Sequence, residues 1–251
     1  MKRYDCCIIR DEIELLKIRF EELNDHVDYF IIVEANKTFS GEDKEFVVEK
    51  HMREFSRYYD KIRYVKVTDM PETTINHRRW RESFQRNCIL RGFDKVDEDD
   101  TIFISDVDEL WNWRAILGET RQFPLVFEQM PMSRKLNLRH ADLNARWYGT
   151  VVVYGHIIQQ TTPQHLRLHK NGYERVGNGG WHFSSVGTDK DIRRKFNTIC
   201  HGFDKKMVDI FLSKLEFLEG LVEMDLDWLP PCIKRNESYL REKGYLYAWD
   251  N

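Results

Sequence analysis

Asp100 to Leu110 reads DTIFISDVDEL. Its first part, Thr101 to Ser105, is a short run of β-branched and apolar residues without polar alternation, as a strand covered on both faces requires. Its second part, Asp106-Val107-Asp108-Glu109, sets acids at that strand's carboxyl end, where open α/β sheets place their ligands. The letters alone carry little, because Asp-x-Asp recurs at Asp97/Asp99, Asp189/Asp191 and Asp225/Asp227. Only the copy at Asp106/Asp108 has a buried strand leading into it. Side chains two apart in an extended segment share a side, so these two carboxylates can converge. Hard divalent cations bind through one or two carboxylates plus substrate phosphates, which makes a metal–diphosphate site one reading of the pair. A solvated acidic turn capping a helix near Trp113 is the other.

Outward from this segment, the first half of the chain alternates strand-like and helix-like stretches. Tyr4 to Ile9, Tyr29 to Val33 and Ile62 to Val67 read as further buried strands. Ile13, Leu16, Phe20 and Leu23 recur at helical spacing, as do Trp80, Phe84 and Cys88. The alternation predicts an α/β sandwich around a mostly parallel central sheet. The second half has short strands near Leu125 to Met130, Val151 to Tyr154, Leu166 to His169 and Trp181 to Ser184, punctuated by glycines and aromatics. It should face a substrate. From Thr188 the chain turns helical: Thr188 with Asp191 approximates a capping box, and Ile192, Phe196 and Ile199 mark a buried stripe. A second helix is expected from Lys206 to about Met224. Pro230 and Pro231 then break the pattern, leaving a Tyr- and Trp-rich tail.

The 251 residues, 41% hydrophobic, suffice for one substantial core, so a single domain over 1–251 is expected. Lysines and arginines total 39 against 42 acids, a formal net charge of -3. No global basic field exists for nucleic acid or an anionic membrane, and an anionic ligand must be met by a local cluster. No stretch approaches the roughly 18–20 apolar residues of a membrane span, and no signal peptide is evident. A soluble, cytoplasmic protein is expected. The five cysteines, Cys6, Cys7, Cys88, Cys200 and Cys232, include no CxxC pair, which argues for reduced, buried thiols.

Five ordered blocks add to this reading: EIELLKIRFEEL (Glu12 to Leu23), VDYFIIVEANKTFSG (Val27 to Gly41), WRESFQRN (Trp80 to Asn87), DTIFISDVDEL (Asp100 to Leu110) and GWHFS (Gly180 to Ser184). With them the chain resembles glycosyltransferase family 17 from about Arg10 to about His201. That group includes the β-1,4-mannosyl-glycoprotein 4-β-N-acetylglucosaminyltransferase that adds a bisecting GlcNAc. The resemblance implies a GT-A fold and inverting transfer from a UDP-sugar, UDP-GlcNAc by family habit, to a carbohydrate hydroxyl on a glycan or glycoconjugate, with Mn²⁺ (or Mg²⁺) as metal. On this reading 1–110 is the nucleotide-sugar-binding half, 111–187 the acceptor side and 188–251 a C-terminal helical segment. Asp11 stands where the family usually has Asn, Leu110-Trp111 where it has Ile-Pro, and the eukaryotic members' membrane anchor is absent.

The family implies metal ligation by Asp108 and by Asp106, the latter alternatively holding the donor's ribose, while Glu109 fixes geometry. A histidine from the second half usually completes such a site. His182 is the first candidate, because paired glycines precede it and Trp181 offers a stacking face; His201 is the second. Arg78, Arg79, Arg81 and Arg86 form the local basic cluster that a diphosphate needs, with Arg86 and Asn87 in the matching block and Glu82 placed to pair at helical spacing. Glu34, closing the second strand, is a candidate for uridine, and Glu12 for the donor side or simply the helix dipole. Glu128 and Asp142 are candidates for the base that takes the acceptor proton. Trp147 and Tyr148 could form an acceptor platform or pack in the core. A sugar nucleotidyltransferase or metal-dependent phosphohydrolase would want similar groups, but no GxxxxGK[ST] loop occurs. A non-catalytic carbohydrate-binding protein is the remaining alternative.

Overall fold

The computed structural model describes residues 1–72, 78–198, 205–213 and 220–247. Strands β1 (Arg3–Ile9), β2 (Tyr29–Ala35), β3 (Ile62–Val67) and β4 (Thr101–Asp106) stand where the apolar runs predict them. They pair in the order β3-β2-β1-β4, all parallel. Helix α1 (Ile13–Leu23) crosses from β1 to β2, α2 (Val47–His51) continues into a 3-10 turn before β3, and α3 (Arg78–Asn87) precedes β4.

Alternation along each strand supplies two cores. Cys7, Ile9, Phe30, Ile32 and Phe103 pack on one face with Leu16, Phe20 and Leu23 of α1. Cys6, Ile8, Ile31, Val33, Ile102 and Ile104 pack on the other with Cys88 and Ile89. Full burial of each large apolar side chain contributes about 1.5–3 kcal/mol, which is why these strands show no polar face. Cys6, Cys7, Cys88 and Cys232 are buried free thiols; Cys200 lies outside the described residues.

Beyond β4 the sheet is mixed. β5 (Glu109–Trp111), β6 (Leu125–Arg134), β7 (Leu138–His140), β8 (Trp147–Tyr154), β9 (Glu174–Val186) and β10 (Leu221–Glu223) complete it. The antiparallel β8 joins β4 to β6, and β9 runs parallel to β6 while pairing antiparallel with β5. The molecule is thus the α/β sandwich expected, its sheet parallel through β3-β2-β1-β4 and mixed beyond. Among the described residues no helix is long and apolar enough to cross a membrane.

Three local expectations are corrected. Leu166 to His169 is not a strand: after the short helix α4 (Gly155–Ile158), residues Pro163–Leu168 form helix α5. Thr162 is its N-cap, its hydroxyl accepting from the His165 amide, and Pro163 has the fixed φ that suits a first helical position. The helix expected from Lys206 to Met224 is described only over Lys205–Ser213 (α7), and Leu221–Glu223 is β10, paired antiparallel with β7. Pro231 starts a helix, Pro231–Arg235, followed by Glu237–Glu242, because proline lacks only an amide that the first turn does not use. The capping box of α6 (Asp189–Thr198) is present: Thr188 N donates to Asp191 Oδ2 at 3.1 Å and Asp191 N to Thr188 Oγ1 at 3.3 Å.

Candidate active site

The strand order reverses between β1 and β4, and a doubly wound sheet opens a crevice at the carboxyl ends of such strands. A cavity of about 550 Å³ lies there. Ile8, Ile9, Arg10 and Glu12 border it from the end of β1, and Asp106, Val107 and Asp108 from the end of β4. α3 contributes Arg79, Glu82 and Arg86; α5 contributes Gln164 and Arg167; β9 contributes His182 and α6 contributes Lys195. Asp106 and Asp108 both border this space, but not by the extended alternation expected: β4 ends at Asp106, and a turn at Val107 and Asp108 brings the second carboxylate round.

Two buried groups hold the acidic turn in shape. Arg19 of α1 is fully buried and forks onto Asp5, with Nε and Nη2 each 2.6 Å from a carboxylate oxygen. Its Nη1 donates to the carbonyls of Asp106, Val107 and Glu109 at 3.3, 3.4 and 3.0 Å. Glu109, also fully buried, accepts from the Asp106 amide at 3.0 Å and from Arg167 and the Trp147 indole, each at 2.7 Å. Glu109 therefore fixes geometry, as expected. The turn does not cap the 3-10 segment at Trp113–Ile116; Asn112 does, accepting from the Arg114 amide.

Asp106 is held by two guanidinium groups: Oδ1 lies 2.8 Å from Arg86 and Oδ2 3.3 Å from Arg167. Burial works against its charge, but Arg86 and then Arg167 keep its carboxyl well below the usual range. Glu82 fixes Arg86 in turn at 2.7 Å, the i,i+4 pair expected on α3, and Arg86 Nε has no hydrogen-bond partner among the described residues. Asp108 Oδ2 meets Lys195 Nζ at 2.6 Å, and its Oδ1 lies 3.9 Å from His182 Nε2. Burial holds the His182 imidazole below its ordinary pKa, so it is neutral and able to offer a lone pair near pH 7. Its ring stacks on Trp147 at 4.4 Å, and Lys170 Nζ sits 4.6 Å from the Trp147 centroid. Burial, with Arg167 beside it, pushes the Lys170 ammonium down to about 8. Glu12 also borders the cavity: against burial, Arg10 and Lys195 hold its carboxyl at about 2.

No group of three or more His, Cys, Asp or Glu side chains able to hold a metal exists among the described residues. Neighbouring ligands of an octahedral ion with ~2.1 Å bonds are ~3 Å apart, so Asp108 Oδ1 and His182 Nε2, now 3.9 Å apart, must draw together to share a cation completed by phosphate and water. The residues fit a divalent ion that arrives with an anionic substrate, while both Asp106 oxygens are already engaged.

Several candidates are elsewhere. Glu34 is fully buried, accepting from Lys44 Nζ, the amides of Val47 and Val48, and the Tyr64 hydroxyl; it anchors the start of α2 and has no face for uridine. Asn87 accepts from the Gln164 amide and so positions α5. Trp181 is buried in the core, its indole donating to the Trp228 carbonyl. Gly180, with φ +125°, permits close strand approach rather than ligand contact: a Cβ there would lie 2.2 Å from the Leu110 carbonyl. Glu128 pairs with Arg146, and exposed Asp142 accepts from the Asn144 amide; neither borders the cavity. Of the basic cluster, Arg79 and Arg86 border it, while Arg78 does not and Arg81 packs on the Phe39 carbonyl. Trp147 borders the cavity and Tyr148 lies under Arg175 instead. His201 lies outside the described residues. Sequence reasoning missed Arg167, Lys170 and Lys195; the Thr162-Pro163 helix start was the available signal for the first.

The family model described as Glycosyltransferase family 17 matches residues 1–212. No curated protein is significantly similar to the chain. Among solved structures, it is similar to 2-C-methyl-D-erythritol 4-phosphate cytidylyltransferase (IspD) of Francisella tularensis at 11% identity and a TM-score of 0.41, covering 77% of this chain and 98% of that one. A galactosyltransferase, LgtC, in complex with donor and acceptor sugar analogues, is similar at 10% identity and a TM-score of 0.37, covering 97% of each chain.

Proposed function

Because the chain belongs to glycosyltransferase family 17, we propose that it moves GlcNAc from UDP-GlcNAc to a carbohydrate hydroxyl with inversion, assisted by Mn²⁺ or Mg²⁺. The observation that carries this reading is the cavity at the β1/β4 switch point, where Asp108 and His182 stand beside a cluster of buried cations. The cluster suits a diphosphate leaving group. Arg86 and Arg167 are held in place by Asp106, Glu82 and Glu109, so their N–H donors need no reorganisation as the diphosphate departs. Lys170 adds an ammonium whose lowered pKa an anionic donor would restore. Asp108 and His182 would hold the divalent cation, which would supply Lewis-acid neutralisation of the leaving UDP. Trp147, half-exposed and fixed through its indole to Glu109, offers a rigid face for a sugar ring.

Incubation with a panel of UDP-sugars, with and without Mn²⁺, tests the reading. Slow release of UDP from UDP-GlcNAc that requires the cation supports it. Release of pyrophosphate from a nucleoside triphosphate would instead indicate a nucleotidyltransferase. Failure to bind or cleave any nucleotide sugar would end it.

A further inference from the structure

We propose that Lys195 is a resident counter-ion for Asp108 that makes cation binding conditional on the diphosphate donor, an inference that rests on the donor and cation reading above. Lys195 comes from α6, far along the chain from the acidic turn, yet its Nζ lies 2.6 Å from Asp108 Oδ2 with its side chain 15% exposed. The remaining oxygen, Oδ1, lies 3.9 Å from His182 Nε2, the nearest side-chain atom that could join it on an ion. A positive charge thus already neutralises the carboxylate that the divalent ion would use.

The backbone behind Lys195 is pinned. The Thr188–Asp191 box starts α6, Arg194 Nε pairs with Asp11 Oδ2 at 2.6 Å, and Arg10 Nη1 donates to the Lys195 carbonyl at 3.3 Å. The flexible four-carbon stem is the part able to move. A divalent ion entering alone would share Asp108 with the Lys195 ammonium, a like-charge arrangement at one carboxylate. A diphosphate entering with it brings the compensating negative charge. The Lys195 ammonium can then pass from Asp108 to a phosphate oxygen, leaving Oδ2 to the metal. Cation and nucleotide therefore bind as linked ligands, each strengthening the other. Lys195 is a positioning residue in this scheme.

Mn²⁺ titration followed by electron paramagnetic resonance of the free ion, with and without saturating UDP, tests it. In the unmodified chain UDP should tighten Mn²⁺ binding at least about tenfold, within the usual range of linked ligands. Lys195→Met should raise the nucleotide-free Mn²⁺ affinity about tenfold and shrink the gain from UDP to less than about threefold, whereas Lys195→Arg should behave as the unmodified chain. Should the Met variant unfold on melting, Lys195→Gln, which keeps a donor for Asp108 without charge, must give the same pattern. Unchanged nucleotide-free affinity in a folded Met or Gln variant overturns the proposal and leaves the donor reading intact. Absence of UDP-assisted Mn²⁺ binding in the unmodified chain overturns both.

Discussion

Replacing Arg19 by Met separates what the buried guanidinium does for stability from what it does for the acidic turn. The substitution keeps the apolar stem and removes a charge with no solvent exposure, leaving the Asp5 carboxylate, also fully buried, without its bidentate partner. Breaking a buried pair from one side costs about 3–5 kcal/mol, a large part of the about 5–15 kcal/mol that holds a domain folded. Urea unfolding should show that loss as a lower midpoint at similar slope. Adding Asp5→Leu removes the stranded charge and should recover most of the stability, short of the ~1–3 kcal/mol for the Trp111 indole N–H that now donates to Asp5 at 2.9 Å. Nucleotide binding should not recover, because the carbonyls of Asp106, Val107 and Glu109 have lost the donor that shapes the turn. Calorimetry with UDP and Mn²⁺ should find both variants at least about tenfold weaker, equivalent to ~1.4 kcal/mol. An Arg19→Met midpoint shift worth less than about 1 kcal/mol, or a double variant that binds UDP as the unmodified chain does, would refute the reasoning.

Three further outcomes follow from the site. Asp108→Asn should lower cation-dependent UDP release by about 10²-fold or more while circular dichroism keeps its folded signal; retained turnover removes Asp108 from the site. Lys170 has its pKa pushed down to about 8, so UDP affinity should fall as pH rises through 8 and the ammonium discharges. The apo protein should respond oppositely: between pH 8 and the ordinary lysine value of 10.5 the unfolded state holds the proton and the folded state does not, so this group's penalty is relieved as pH rises. Lys170→Met should flatten both trends, and unchanged profiles count against a donor contact. Gly180→Ala puts a Cβ 2.2 Å from the Leu110 carbonyl at φ +125°, and should cost about 1–3 kcal/mol and displace His182, read as a drop in both melting temperature and Mn²⁺ affinity. Normal values for both would show that the close β5–β9 approach does not position the imidazole.

Much was legible along the chain. Nearly continuous apolarity at Tyr4 to Ile9, where Asp5 is the exception, and at Tyr29 to Val33 and Thr101 to Ser105 announces strands covered on both faces, and the fold covers them so. The acidic segment after Thr101 to Ser105, the Glu82–Arg86 pair and the Thr188–Asp191 box are short-range patterns, and each is present. Leu166 to His169 was misread because a short apolar run does not distinguish strand from helix, and Thr162-Pro163 decided it.

The residues themselves determined the elements and the strand end at which an acidic ligand site would open, because backbone periodicity and capping act over a few positions. Tertiary structure alone decided what surrounds that end. Arg167 and Lys195 meet Asp106 and Asp108 across 61 and 87 residues of sequence, a meeting set by β4 lying next to β1 and by α5 and α6 folding back over the crevice. It likewise sent Glu34, Trp181, Glu128 and Asp142 away from the cavity: which charge faces which is fixed by packing between distant segments, and local pattern does not encode it.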